Sequence, residues 1–535
     1  MSLRKRQEVQ KVPRGLNPAR SLLDAALILI SSVLLVLPFH FGVLWPLAFF
    51  AFVPFFFTIG RRTSRQALAA SYAFGLAFFG LLGFWLSPVN VIGFALLLAY
   101  LALYFALFGF FSARFLNPGW RLERVFFVAS IWVMLEVLRG WVLSGLPWAL
   151  LGYSQWKNLP FIQAAEFIGP YGISFLVMAV NVCLFKLLQG WRAMGRGEAP
   201  RGFWKPFAAT LAVIAALTTL YGRSALAARD AYYASPGPKA QIRIGVVQGN
   251  IPQDEKWNRR VRNIIFEKYR RLTLMAALER ADLIIWPETS FPGYLEDEVE
   301  LAAELRQTVR EARTNVLVGA PAVGELEEGL KLHNSAILYA PDGQERRRYH
   351  KMQLVPFGEY IPFEAVFGFI RQFVAIGHFS PGATPVIFET QSRFQERNIK
   401  VRFGVLICYE DIFPGLVRRF CAPDGADFLV NITNDAWFGR TSAPYQHAQA
   451  SVFRAVENRI PVVRAANTGL SCFISPEGRI LSSVSDNRGE EIFVTGHRTQ
   501  DIVLRKGRSF YSAFGDVFLA LPLLLCLMAY RMKDL

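Results

Sequence analysis

Seven stretches of mostly apolar sequence crowd the first 222 positions, and an eighth stands near the end. A helix needs roughly 20 such residues to cross the hydrocarbon core of a bilayer. In lipid the backbone must also satisfy its own hydrogen bonds, which leaves helices as the form these stretches can take. The stretches fall at 21–39, 41–60, 67–86, 91–113, 125–143, 162–188 and 206–222, with the last at 513–530. They predict a membrane α-helical bundle of about eight spans. The first is not a cleaved signal peptide, because it lacks a small-residue cleavage site and a second span follows almost at once. Between about 240 and 505 the sequence has ordinary globular composition. The expected organisation is an N-terminal membrane domain (1–222), a soluble domain (223–512) and a C-terminal transmembrane helix (513–535).

The net charge of +17 fits either an anion-binding protein or a membrane protein with basic cytoplasmic loops. Its distribution favours the second and gives no reason to expect nucleic acid. Arg4, Lys5, Arg6, Lys11, Arg14 and Arg20 precede the first span. Arg61, Arg62 and Arg65 follow the second, Arg114, Arg121 and Arg124 the fourth, and Arg192, Arg196, Arg201 and Lys205 the sixth. Arg531 and Lys533 end the chain, and the intervening loops carry almost no positive charge. The positive-inside rule then places both termini in the cytoplasm and residues 223–512 in the periplasm or outside the cell. In the fifth span Glu136 and Arg139 stand three apart on one helix face, where they can pair. Ionisable residues in a span are costly and often functional, although a packing role is equally open here.

The soluble stretch alternates strand and helix patterns, so it reads as α/β with buried sheets. IRIGVVQGN, ADLIIWPE, NVLVGAP, VRFGVLICYED and DFLVNITNDAWFG each begin as apolar strands. HNSAILYAPDGQERRRYHK reads as a hairpin turning at Asp342-Gly343. Sites form where such strands run out, and Glu288, Lys351 and Cys408 each follow a strand. A carboxylate, an amine and a thiol so placed suit covalent acyl chemistry. Taken singly, each also has an ordinary reading, as a turn cap, a solvated strand end or a small core residue. The five cysteines are too sparse for a disulfide framework, and only Cys421 with Cys472 is a pairing to weigh.

The segments WPET, YHKMQLVPFGEYIP and GVLICYED resemble the nitrilase, or carbon–nitrogen hydrolase, superfamily in order and context. That resemblance covers roughly 242–500. It implies a four-layer α-β-β-α sandwich, with Glu288, Lys351 and Cys408 as a catalytic triad. A domain of this kind after seven spans and before one more is similar to the apolipoprotein N-acyltransferase family. QGNIPQDEKW, PFGEYIP, NDAWFG and the LRGW run carry the same likeness, whereas GFWLSPVN after the third span departs from the aromatic-rich run expected there. The likeness implies an enzyme of the inner membrane with a periplasmic catalytic domain. It would move the sn-1 acyl chain of a phospholipid, typically phosphatidylethanolamine, to the α-amino group of a lipoprotein's diacylglyceryl-cysteine. No metal or organic cofactor is implied, and the chain is expected to act as a monomer. A membrane-anchored amidase using water as second nucleophile is the alternative, and a transporter or scaffold with a degenerate domain is a more distant one.

Supporting roles follow from the mechanism this chemistry requires, with Glu359 also favoured by the family pattern. Glu359 would orient Lys351 or accept a proton, Tyr409 would offer its backbone N–H to an oxyanion and line the pocket, and Glu410 would buttress the turn after Cys408. Substrate contacts are expected from Trp257, Trp437, Phe438, Arg139 and Trp148. The aromatic segment 356–380, with Phe357, Phe363, Phe367, Phe369, Phe373 and Phe379, lacks a helical period and reads as a lid or membrane-dipping arm, with ordinary core packing as the alternative. His350, beside Lys351, reads as structural.

Overall fold

The computed structural model describes residues 18–531, apart from 118, 236–238, 327–328, 363, 365–367, 369–377, 394–398, 423–424 and 505–507. The basic residues before position 18 and Lys533, used above for orientation, lie outside the described residues. So do Phe363, Phe367, Phe369 and Phe373 of the expected lid.

Among the described residues six helical segments are long and apolar enough to cross a membrane. Four of the eight spans read from the sequence differ in the structure. The second span is a 3₁₀ turn, Gly42–Phe49, followed by a short helix, Val53–Ile59. Pro46 and Pro54 each remove an N–H from what would have been one ladder. The fifth, Glu123–Arg139, has 17 residues, and the last helix, Ala520–Arg531, has only 12. The chain before that helix is broken at Gly515, which takes φ +68°. These two shorter helices pack on one another, and the outer face of the last one is exposed. The seventh runs longer than expected, from Trp204 to Ala234, so position 223 falls inside a continuous helix. Its last turns leave the apolar stretch and meet the α/β domain through Arg229 and Glu477 (3.7 Å) and through Asp230 and Arg479 (3.1 Å).

Helix starts in the bundle follow local chemistry. Thr63 caps Ser64–Leu82 in a capping box with Gln66, and the Asn90 side chain accepts from Gly93 N at the start of Val91–Leu116. These two helices pack closely because small residues face each other: a Cβ on Gly109 would lie 1.7 Å from the Ser71 hydroxyl. Asn181, on the helix Ala165–Met194, accepts from Phe52 N and donates to Ala48 O, which ties down the break in the second span.

The α/β domain holds two six-stranded sheets. The first has the order β12-β1-β2-β3-β4-β5, from Gln241–Gln248 (β1), Leu283–Ile285 (β2), Asn315–Leu326 (β3), Gly329–Tyr339 (β4), Glu345–His350 (β5) and Gly496–Val503 (β12). The second is β11-β10-β9-β8-β7-β6, from Ile387–Ser392 (β6), Ile399–Ile407 (β7), Phe428–Thr433 (β8), Val462–Ala466 (β9), Cys472–Ile474 (β10) and Ile480–Ser483 (β11). Each sheet has a parallel centre, β1-β2-β3 and β7-β8-β9, flanked by antiparallel edges. The expected hairpin at Asp342-Gly343 is present between β4 and β5. Ile244, Val246, Leu317, Leu338, Phe403 and Val405 fill the space between the sheets. Helices Arg262–Leu278 and Val299–Ala312 cover the first sheet. Helix Ala443–Asn458 covers the second, and its far side packs on the membrane helix Ala165–Met194. That double cover explains why nearly every residue of Ala443–Asn458 is buried. All five cysteines are free, Cys421 and Cys472 included.

Candidate active site

Three chain ends meet where the two sheets face each other. Glu288 follows β2, and it reaches its place because Gly319 on β3 lets the chain pass: a Cβ there would sit 2.1 Å from Pro287 O. Lys351 follows the edge strand β5, its N–H bonded to Asn334 O. Cys408 follows β7 on a left-handed residue, φ +53°, a conformation that a non-glycine residue adopts only under constraint.

Glu288 and Lys351 are almost fully buried. Lys351 Nζ lies 3.3 Å from Glu288 Oε1 and 3.0 Å from Glu359 Oε1. Asn334 Nδ2 donates to the same two oxygens, at 2.8 and 2.9 Å. The other Glu288 oxygen accepts from Asn434 N at 2.9 Å, and the other Glu359 oxygen from Val355 N at 2.8 Å. Burial pulls the Lys351 ammonium down, but Glu359 and then Glu288 outweigh it, so it stays charged beyond the ordinary lysine range. The Cys408 thiol is pushed well above its usual range, first by burial and then by the charge of Glu288, with Lys351 acting the other way. Cys408 therefore rests as a thiol near neutral pH, beside the Lys351 ammonium.

Glu410 fastens the turn after Cys408. One oxygen accepts from Ile407 N at 2.7 Å, and the other from the Tyr349 hydroxyl, Met352 N and Gln353 N. Burial raises this carboxyl to about 7 despite those donors. Tyr409 differs from expectation in one respect: its hydroxyl donates to Gly145 O, 2.6 Å away, in a loop of the membrane domain. Ser144 in that loop also meets the Tyr360 hydroxyl at 2.6 Å, and Gln353 Nε2 donates to Ser144 O.

The five expected substrate contacts divide into two groups. Trp257 and Trp437 line an open cleft of about 570 Å³ with Pro252, Gln253, Asp254, Ala436 and Phe493. Gln253 accepts from Asn434 Nδ2, so this cleft is one residue removed from Glu288. Phe438 instead packs edge-on against Trp85 of the membrane domain, 4.6 Å between centroids. Trp148 also belongs to the membrane side, where its indole N–H donates to Gln446. Arg139 and Glu136, which could pair along the helix, take other partners. Arg139 donates to Trp148 O at 2.7 Å, while Glu136 accepts from Leu151 N. Of the expected lid, Phe357 is exposed at φ +60°, and Phe379 N is bonded to Glu359 O. His350 bonds Ser335 and stacks near His333, away from the thiol.

Sequence reasoning missed several residues around this site. Lys256 is buried with its ammonium on Glu288 O (3.2 Å) and the Thr289 hydroxyl, and burial lowers it to about 8. It sits inside the QGNIPQDEKW motif, where only Trp257 drew notice. Asn334, in the middle of β4, and Asn434, just after β8, carry no local signal that marks them. Asn431 and His447 both reach Cys408 O, at 2.9 and 3.2 Å. His447 lies on helix Ala443–Asn458, where nothing in a single sequence separates it from a solvent-facing polar side chain.

A cysteine, a lysine and two glutamates at the ends of paired α/β sheets are the equipment of a carbon–nitrogen hydrolase, and a family model described as "Carbon-nitrogen hydrolase" matches residues 243–501. A second, described as "Apolipoprotein N-acyltransferase N-terminal domain", matches residues 31–183. An apolipoprotein N-acyltransferase of Geobacter metallireducens is 38% identical, covering 92% of each chain. One from Haemophilus influenzae is 30% identical over 94% of each. Among solved structures, an amidase of the nitrilase superfamily from Nesterenkonia aligns with 50% of this chain and 93% of its own, at 21% identity and a TM-score of 0.36. The chain belongs to the apolipoprotein N-acyltransferase family.

Proposed function

We propose that this membrane enzyme N-acylates lipoproteins through a thioester on Cys408, with Glu288 as base and Lys351 as the electrostatic partner of the oxyanion. The observation that carries the reading is the buried Lys351 bridging Glu288 and Glu359 beside a thiol held on a left-handed turn. Because that thiol is protonated at rest, attack needs a base at the moment of reaction. Glu288 takes the proton as sulfur adds to the phospholipid's sn-1 ester carbonyl. Lys351 and the Tyr409 N–H face the resulting oxyanion, where prearranged donors are most effective. Collapse returns the proton from Glu288 to the leaving alkoxide and frees a lysophospholipid. The lipoprotein's neutral α-amine then attacks the thioester, Glu288 accepts its proton, and the thiol is restored.

The donor is phosphatidylethanolamine in this reading, and Trp257 and Trp437 form the wall that guides substrate toward Glu288. Both termini lie in the cytoplasm, the catalytic domain lies in the periplasm, and the enzyme works as a monomer. The amidase alternative is not favoured, since the likeness to acyltransferases runs through the membrane half as well as the catalytic half.

The test uses the full-length enzyme in detergent with labelled phospholipid and a diacylglyceryl peptide. Wild type forms a hydroxylamine-sensitive acyl adduct and passes the label to the peptide amine, and Cys408→Ala forms none. An adduct that persists in Cys408→Ala sinks the mechanism, and release of free fatty acid in place of N-acyl peptide assigns the chain to hydrolysis.

A further inference from the structure

Directly beneath the nucleophile lies a buried charge cluster that the reaction above does not use. Asp411, Asp435 and Arg464 are fully enclosed, and His447 is 2% exposed. His447 Nδ1 faces Asp435 Oδ1 at 3.1 Å, and its Nε2 faces both Asp411 Oδ1, at 2.9 Å, and Cys408 O, at 3.2 Å. All three partners accept hydrogen bonds, and only the doubly protonated ring donates from both nitrogens. Charge balance leads to the same state. Two carboxylates face Arg464, whose Nη1 is 2.8 Å from Asp411 Oδ2 and whose Nη2 is 4.0 Å from Asp435 Oδ2. One cation leaves a bare buried carboxylate, which is costly, and the imidazolium supplies the second. Burial draws the ring's pKa down and Arg464 does so too, but Asp411 and Asp435 outweigh them and raise it to about 9. Ser451 completes the cluster by donating to Asp411, and Trp148 of the membrane domain covers the ring, 5.6 Å between centroids.

The Cys408 carbonyl is thus held inward by two donors, His447 and Asn431 Nδ2. In a planar trans peptide the following N–H points opposite to the carbonyl. Holding Cys408 O toward the cluster therefore turns the Tyr409 N–H away from it. We propose that His447 is a positioning residue for the Cys408 nucleophile: clamped between Asp411 and Asp435, its ring pins the Cys408 carbonyl, and so maintains the left-handed turn and aims the Tyr409 N–H at the oxyanion. The inference rests on Cys408 being the nucleophile.

The two roles open to His447, balancing charge and pinning the carbonyl, separate in a pair of double variants. Asp435→Asn/His447→Gln and Asp435→Asn/His447→Leu both keep the cluster neutral, and only the first keeps a donor for Cys408 O. Full-length protein in detergent is given labelled phospholipid without acceptor, and the rate of adduct formation is read beside the melting temperature. The two variants melt alike, and the Leu form acylates about 100-fold more slowly than the Gln form, the size of loss that a misplaced nucleophile brings. Equal rates overturn the proposal. Label on Cys408→Ala would instead sink the nucleophile assignment itself.

Discussion

The membrane bundle and the α/β domain handle buried polar groups in opposite ways. In the bundle, polar side chains close on backbone: Asn181 on Phe52 N and Ala48 O, Arg139 on Trp148 O, Gln155 on Trp45 O. In the α/β domain charges close on charges: Lys351 on Glu288 and Glu359, Arg464 on Asp411, Arg454 on Glu457. The first arrangement staples the chain at breaks in its helices, where lipid offers no replacement partner. The second concentrates opposite charges where their mutual field is strong, which suits a site that must create and then quench an anion. These bundle groups serve its shape, and the charges around Lys351 suit the chemistry proposed for it.

Lys351→Met is the strongest attack on that contrast, because it leaves two buried carboxylates facing each other. Breaking such a pair costs about 3–5 kcal/mol, and loss of the oxyanion's cation lowers thioester formation by about 10³-fold. Melting in detergent and the rate of the hydroxylamine-sensitive adduct should fall together. A variant with normal melting would mean that the charges are not truly desolvated.

Asn181→Leu probes the opposite regime. It strands Phe52 N and Ala48 O and lowers stability by about 2 kcal/mol, with adduct formation retained at temperatures where the protein stays folded. If chemistry is lost while melting is unchanged, the division between shape and reaction is wrong. Tyr409→Phe tests the seam between the regions. It removes the bond to Gly145 O, worth about 1 kcal/mol. Its effect on the adduct rate should exceed its effect on melting, since the loop 144–145 also holds Gln353 and Tyr360. The reverse ranking would make the seam merely structural.

The proposed triad stood out because Glu288 and Cys408 each follow an apolar strand and Lys351 follows the charged hairpin strand Glu345–His350, each within its own local motif. The membrane character was legible because a span is a local property of about 20 residues. Lengths of individual helices were less so, since Pro46 and Pro54 split one span, and the polar end of another simply continued as helix to Ala234. Whether Glu136 and Arg139 pair was not legible either, for a different reason. Two groups that can pair along a helix face also compete for unsatisfied backbone, and the loop 148–151 offered better partners.

By itself the sequence determined the alternation of apolar runs, the position of Cys408, Glu288 and Lys351 at strand ends, and the hairpin that delivers the lysine. All of these follow from residue type and short spacing. Only the tertiary structure decided which distant groups surround them. Glu359 and Asn334 close on the lysine, His447 and Asn431 meet the cysteine carbonyl, and the membrane loop at Gly145 receives Tyr409. Hydrogen bonds act over about 3 Å in space, whereas these partners stand up to 264 positions apart along the chain. No local pattern records such pairings, because packing the two sheets and the bundle together creates them.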